Sequence, residues 1–271
     1  MTADHTSHLR TSLLHTLFSI INEENVGDSS YVLAHYFLEH YSELKDLNIF
    51  EVATDCFVSR SSVRRFCKAI GYENFIDMKL EFTRYDQVYY NNIKYAAQEN
   101  YQQLLSFEIN KMIQDITINV TGEVLKEMVE SIDQSRYTIF LIPGAYNGAV
   151  KDFQEKMVAH HRVIYLISEN YSENKLIQNL TKDDLLITLS TSGVFAEEAS
   201  KFTKGLEGKK VLFTCNTEMS QGSFYDKTYY MSAQGQEELN IPVYSKYGIN
   251  FMLDILYSEY VKEKKLPNRR S

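Results

Sequence analysis

Up to about Phe82 the apolar residues of the chain recur every three or four positions. Leu13, Leu14, Leu17, Ile20 and Ile21 mark one amphipathic helix. Tyr31, Leu33, Ala34, Phe37, Leu38 and Tyr41 mark a second, which starts after the cap signal Asp28-Ser29-Ser30. Val52, Ala53 and Cys56 put an apolar face on a short third helix, Val58 plugs a turn, and Val63, Phe66 and Ile70 stripe a fourth. Asn74–Thr83 closes this all-helical unit. From Arg84 to Gln103 the composition turns to Tyr, Asn and Gln, which reads as a partly helical connector, and a helical lead-in covers Phe107–Asp133. The pattern then changes to short apolar runs at Tyr137–Pro143, Arg162–Ser168, Asp184–Ser190 and Lys210–Asn216, with Lys227–Ala233 as a candidate fifth. Helices are predicted between them: one up to about His160, one near Asn174–Asn179 and one from about Ala196 to Gly205. A long helix from Tyr244 to Lys262 ends the fold. Near-continuous apolar strands separated by helices argue for a parallel sheet covered on both faces. The expected organisation is an all-helical domain over residues 1–83, a linker over 84–106, an α/β domain over 107–263 and a polar tail over 264–271.

The stretch Ile49–Phe82 is the most informative for function. Ser59 stands where an N-cap belongs, its hydroxyl able to accept from a free amide of the first turn. Arg60, Ser61, Ser62, Arg64, Arg65 and Lys68 lie on the outward face of the fourth helix, and no acid occurs from Ser59 through Tyr72. Two short helices joined by a tight turn, the second capped and basic outside, form a helix-turn-helix. Such a motif can lay the N-terminal end of its second helix in a major groove. The pattern alone leaves two readings open, because packed helix pairs with a solvated basic face also occur in domains that never meet nucleic acid.

The residues Ser59, Val63, Arg65, Phe66, Cys67, Gly71, Tyr72, Phe75 and Lys79, at their spacing, resemble the DNA-binding domain of the RpiR family of bacterial transcriptional regulators. The resemblance covers about the first 80 residues and implies double-stranded DNA as a partner. On this reading Arg60, Ser61, Ser62 and Arg64 stand at or near base edges, and Ser59 caps the helix beside phosphate. Arg65 and Lys68 neutralise phosphates, with a structural ion pair as the alternative for Arg65. One helix reads too few base pairs for useful specificity. A homodimer on a palindromic operator is therefore expected, with half-sites about 34 Å apart or a multiple of that. One position departs from the pattern: the turn residue that is usually glycine is Phe57. A left-handed backbone costs a phenylalanine roughly 1 kcal/mol or more, so a turn of different shape is expected here.

In a parallel sheet, ligands sit beyond the carboxyl ends of the strands, near the switch in strand order. Two loops there are candidates: Gly144-Ala145-Tyr146-Asn147-Gly148 after the first strand, and Ser190-Thr191-Ser192-Gly193-Val194-Phe195 after the third. Small and hydroxyl residues leading into a helix N-terminus expose donors that suit a phosphate. The same residues also serve simply as helix caps. Ser190, Ser192 and Gly193 match a Ser-x-Ser-Gly signature, and Phe107–Lys262 is similar to a sugar isomerase (SIS) domain, the phosphosugar-binding module that RpiR-type regulators carry. Gly144 corresponds to a glycine of the first loop, and Tyr244–Tyr260 resembles the final helix. The implied fold is an all-α helix-turn-helix bundle followed by a SIS-type α/β sandwich. The implied ligand set is Gly144, Tyr146, Asn147, Ser190, Thr191, Ser192 and Gly193. Two usual hydroxyl residues are replaced, by Tyr146 and Phe195. Each donor to a charged phosphate contributes about 1.5–3 kcal/mol, so the ligand is held differently or the pocket no longer senses a phosphosugar.

Composition narrows the partners further. The net charge is -8 and the pI about 5.4, which argues against non-specific polyanion binding but not against a reading helix where the basic residues cluster. Cys56, Cys67 and Cys215 show no C-x-x-C spacing and read as small core residues in a reducing compartment. His160-His161 has no neighbouring carboxylate cluster, so no metal and no cofactor are expected. No signal peptide core is seen and no apolar run nears the ~20 residues a bilayer needs, giving a cytoplasmic expectation without membrane contact. A phosphosugar isomerase is the competing enzyme reading. Its base would come from Glu197, Glu198, Glu237, Glu238, His160 or Lys246, none of which stands in a motif that assigns it a role. An isomerase has no need of the N-terminal domain, which favours a regulator. A second domain used only for oligomerisation is the third option.

Overall fold

Apolar spacing along the first helices is what gathers the N-terminal core in the computed structural model, which describes residues 13–80, 93–168, 174–219, 224–233 and 242–264. The chain divides into two units, Met1–Gln98 and Glu99–Ser271. In the first, α1 (Leu13–Glu23) buries Leu13 and Leu17, and α2 (Ser29–Glu39) buries Leu33, Ala34 and Phe37. Helix α3 (Ile49–Asp55) is capped by Asn48, whose side chain accepts from the Phe50 amide at 3.0 Å. Helix α4 (Arg60–Ala69) sends Val63, Phe66 and Cys67 into the same core. Asn74 caps α5 (75–80) by accepting from the amides of Ile76 and Asp77.

The second unit opens with α6 (Tyr101–Asn119) and α7 (Gly122–Gln134). Five parallel strands follow: β1 (Thr138–Leu141), β2 (Ile164–Ile167), β3 (Leu185–Leu189), β4 (Lys209–Thr214) and β5 (Lys227–Tyr230), in the order β2-β1-β3-β4-β5. The chain steps one way from β1 to β2 through α8 (Asn147–Val158). It steps the other way from β3 to β4 through α10 (Val194–Thr203), after the short α9 (Lys175–Gln178). Right-handed crossovers in opposite directions put their helices on opposite faces. That is why β1 and β3 are buried along their whole length while the edge strands β2 and β5 are not. The final helix α11 (Ile249–Lys264) packs on α7 and α8. The fold class read from the sequence, helix-turn-helix bundle followed by a parallel α/β sheet, is the one observed.

Two details differ from the sequence reading. The lead-in of Phe107–Asp133 is two helices, broken at Val120 and Thr121, where the Thr121 hydroxyl accepts from the Val124 amide. Its first helix also starts at Tyr101, inside the 84–106 stretch assigned to the linker. Most of that stretch's tyrosines, the end of the expected first domain and residues 265–271 of the tail lie outside the described residues. No described helix is long and apolar enough to cross a membrane.

The amino-terminal edge of the sheet is locked by Asp184, whose side chain is fully buried. Burial alone would raise its pKa. The bidentate Arg136 guanidinium, at 3.0 and 2.7 Å, and the Thr181 amide and hydroxyl outweigh that and hold the carboxyl below the usual range. In Glu127 the hydrogen bonds from Lys227 and Tyr229 likewise overcome burial, and in Asp133 the Lys264 hydrogen bond dominates. Groups with depressed folded pKa values add stability above their unfolded pKa of about 4 and lose it as pH falls through the lower folded value. Thermal melting of the full chain is therefore expected to hold steady from pH 7 to 5 and to fall steeply below about pH 4. Asp184→Asn should flatten part of that acid limb.

Candidate functional site

Helix α4 is set on the surface by what it buries. Val63 and Phe66 anchor it, with the Phe66 ring 5.7 Å from that of Phe37. Its other face is left to solvent, so Ser59, Arg60, Ser61, Arg64, Arg65 and Lys68 are all exposed and Ser62 is half-buried. Ser59 is the N-cap: the Ser62 amide donates to its Oγ at 3.1 Å, and the hydroxyls of Ser61 and Ser62 lie 2.7 and 2.9 Å away. The Arg65 guanidinium donates to Ser62 Oγ at 3.3 Å. Arg60 rests over the Phe50 ring, 4.5 Å from its centroid, which holds the guanidinium at the front of the helix. Phe50 is a neighbour that sequence reading did not single out. Only the ten-residue separation across a turn hinted at it.

The turn before α4 corrects the expectation of a different shape. Phe57 takes up φ 53, the left-handed conformation a glycine would hold. The amide of Val58 donates to Ala53 O at 2.9 Å and that of Phe57 to Thr54 O at 3.2 Å, the paired bonds of a Schellman C-cap. The same device, with Gly71 at φ 91, ends α4. The geometry is kept and the side chain is strained to fit it.

In the second unit the two candidate loops meet. They leave the carboxyl ends of β1 and β3, neighbouring strands at the point where the chain reverses its direction of travel through the sheet. Tyr146 Oη lies 2.9 Å from Thr191 Oγ1, both groups buried. Burial pushes the Tyr146 phenol up, so it stays neutral. Ser190 is 1% exposed and its Oγ accepts from the Ala196 amide at 3.2 Å, while Ser192 Oγ accepts from the Val194 amide at 3.3 Å. These first-turn amides of α10 are thus engaged within the loop itself. Gly193 holds φ 80, and a Cβ there would come within 2.7 Å of Met219 Sδ and 2.8 Å of Asn216 Nδ2. Asn147 Oδ1 is buried without a hydrogen-bond partner beside the first loop. Gly144 begins a single 3₁₀ turn that carries Tyr146 inward.

Around the same end of the sheet stand groups that the sequence did not point to. Asp115 of α6 accepts from Ser232 Oγ at 3.2 Å and from Tyr244 Oη at 2.5 Å. Tyr244 opens a π-helical turn, Tyr244–Gly248, ahead of α11. Gly248 lets that turn close on α6, since a Cβ would sit 3.2 Å from both Ile116 and Met112. The Cys215 amide donates to Thr191 O at 3.0 Å, and burial raises the Cys215 thiol to about 12. Cys56 and Cys67 are similarly raised, to about 11 and about 12, and all three thiols are buried and uncharged.

The candidate isomerase bases among the described residues come from three separate segments of the chain. Glu197 and Lys246 are exposed, and Glu198 is half-buried on α10. His160 follows the far end of α8 from the first loop, edge-on to Tyr257 and Tyr260. Glu237 and Glu238 lie outside the described residues. Among the described residues no group of three or more His, Cys, Asp or Glu side chains is placed to hold a metal.

Comparison with known proteins agrees with the first unit's geometry. Residues 19–88 match the helix-turn-helix domain of the rpiR family. The chain is 25% identical over 183 residues to the HTH-type transcriptional regulator GlvR of Bacillus subtilis, covering 65% of this chain and 67% of that one. It is 24% identical over 235 residues to the uncharacterized HTH-type transcriptional regulator YbbH of the same organism, covering 83% and 82%. The solved structure of the Vibrio vulnificus NanR protein complexed with ManNAc-6P aligns with 93% of this chain and 92% of its own, at 16% identity and a TM-score of 0.49. Helix α3, its left-handed turn and the capped basic α4 all fall inside the matched residues, so the first unit carries a helix-turn-helix domain of the rpiR type.

Proposed function

We propose that this regulator reads a palindromic operator with paired α4 helices and that its α/β unit, a SIS-type module, binds a phosphorylated sugar and joins two copies into a homodimer. The protein acts in the cytoplasm and turns over no substrate. Arg60, Ser61, Ser62 and Arg64 address base edges, while Ser59, Arg65 and Lys68 address phosphates. A ligand that favours one arrangement of the paired α/β units alters the spacing of the two reading helices, and with it operator affinity. The observation that carries the sensing reading is the meeting of Tyr146 and Thr191 across the strand-order switch, in loops that also hold Ser190, Ser192, Gly193, Gly144 and the unpartnered Asn147 Oδ1. Phosphate oxygens would take up hydroxyl hydrogens that Ser190 and Ser192 leave free, since both accept from the backbone.

A second reading rests on one specific feature. Tyr146 is only 6% exposed and Ser190 1%, so the crevice is closed by the protein's own side chains. A unit closed in this way for good would serve only to oligomerise.

Two outcomes test these readings. Arg60→Ala and Arg64→Ala are each expected to weaken binding to DNA selected from a random duplex pool by about 1–3 kcal/mol, at least one with relaxed base preference. Fluorescence anisotropy would measure this, and unchanged affinity in both removes α4 as the reading face. A panel of aldose and ketose phosphates is expected to contain a compound that raises the melting temperature. At 100 times its Kd it would add about 2.7 kcal/mol. Ser192→Ala and Thr191→Val should reduce the shift. A flat response across the panel favours the oligomerisation reading.

A further inference from the structure

Phe57 combines an exposed ring with a backbone conformation that the turn requires and a phenylalanine disfavours. Its ring is 96% exposed, the most exposed of the large apolar side chains among the described residues. Its backbone is left-handed, which glycine adopts freely and a phenylalanine does not. A single exposed phenylalanine is ordinary on a protein surface. An exposed phenylalanine held in a conformation it disfavours is not, above all when the same C-cap at the end of the next helix is filled by Gly71. Nothing in the core depends on the ring, because the neighbouring Val58 supplies the apolar contact of this turn.

Position says what the ring can meet. Phe57 lies two residues before Ser59, the N-cap of α4, so it stands at the end of the helix that enters the groove. Phe50, 57% exposed, carries the Arg60 guanidinium beside that same end. An apolar ring at the mouth of a major groove has one base-specific target, the C5-methyl group of thymine, since every other major-groove feature is a polar donor or acceptor.

We propose that Phe57 is a DNA-contacting, specificity-determining residue that packs on a thymine methyl at the edge of each half-site. This rests on the reading of α4 as the DNA-reading helix. The contact removes apolar ring and methyl surface from water on binding, which the free protein leaves exposed.

The test uses the full chain and its own selected duplex. Phe57→Gly relieves the strain and is expected to increase hydrogen-exchange protection of residues 49–72 by about 2- to 5-fold, so a loss of binding cannot be a loss of fold. The same variant should bind the duplex about 3- to 10-fold more weakly per half-site. Phe57→Asn, whose side chain also tolerates left-handed backbone, should weaken it alike and so separates loss of the ring from added chain flexibility. Replacing thymine by uracil deletes the methyl alone. Wild type is expected to lose affinity at one symmetric thymine position that leaves both variants indifferent. If both variants bind as wild type while Arg64→Ala weakens binding, the proposal falls and the reading helix stands. If Arg60→Ala and Arg64→Ala are also without effect, the reading helix falls with it. If every uracil substitution affects wild type and variants equally, Phe57 does not read a methyl and the proposal is overturned.

Discussion

The packing of Phe37 against Phe66 and Phe75, with ring centroids 5.7 and 6.0 Å apart, fixes which side of α4 faces outward. A helix of ten residues cannot be stable in water on its own propensity, and it takes its orientation from the apolar stripe it buries. Val63, Phe66 and Cys67 account for that stripe, and every basic residue of the helix is what remains. The basic face is in this sense a by-product of the core. Moving Phe66 by one position would rotate the helix by ~100° and turn the arginines into the protein.

The second unit divides its sheet between two tasks. At the amino ends of the strands, Asp184 ties Arg136 and Thr181 together in a bonded set that leaves no carboxylate oxygen without a partner. At the carboxyl ends, by contrast, hydroxyls cap hydroxyls and amides, and one amide oxygen, on Asn147, is left over. Parallel strands bring all loops of one kind to one edge, so the ion-paired end and the hydroxyl-lined end are separated by the length of a strand. The Asp115 cluster then links that carboxyl end to α6 and to the π-helical turn before α11.

The sequence was most legible where a side chain's burial follows from its neighbours along the chain. β1 and β3 are buried throughout, and their near-continuous apolar runs, interrupted only by Thr138 and Thr188, say so directly. The cap at Ser59 is equally local, for the residue and its acceptor geometry lie within one turn. The break between α6 and α7 was hidden because apolar spacing continues past it, although Thr121 followed by Gly122 is a cap signal. The start of α6 at Tyr101 is left open because the Tyr- and Gln-rich connector, though read as partly helical, gives no apolar spacing to place it. The Asp115 contacts join residues more than a hundred positions apart, so no window along the chain could contain them. Phe57 went the other way: its local preference was read correctly and then overruled. A strain of about 1–2 kcal/mol is small beside the burial of Val63 and Phe66, which requires the turn to keep its shape.

The bond between Tyr146 and Thr191 ties the loops after β1 and β3 together across neighbouring strands. On the proposed sensing function, a ligand held between those loops would first have to part the two buried hydroxyls. Under such gating the observed rate of association stops rising as solute concentration increases and levels off at the frequency with which the entrance opens. Such a delay would then belong to one tyrosine rather than to diffusion.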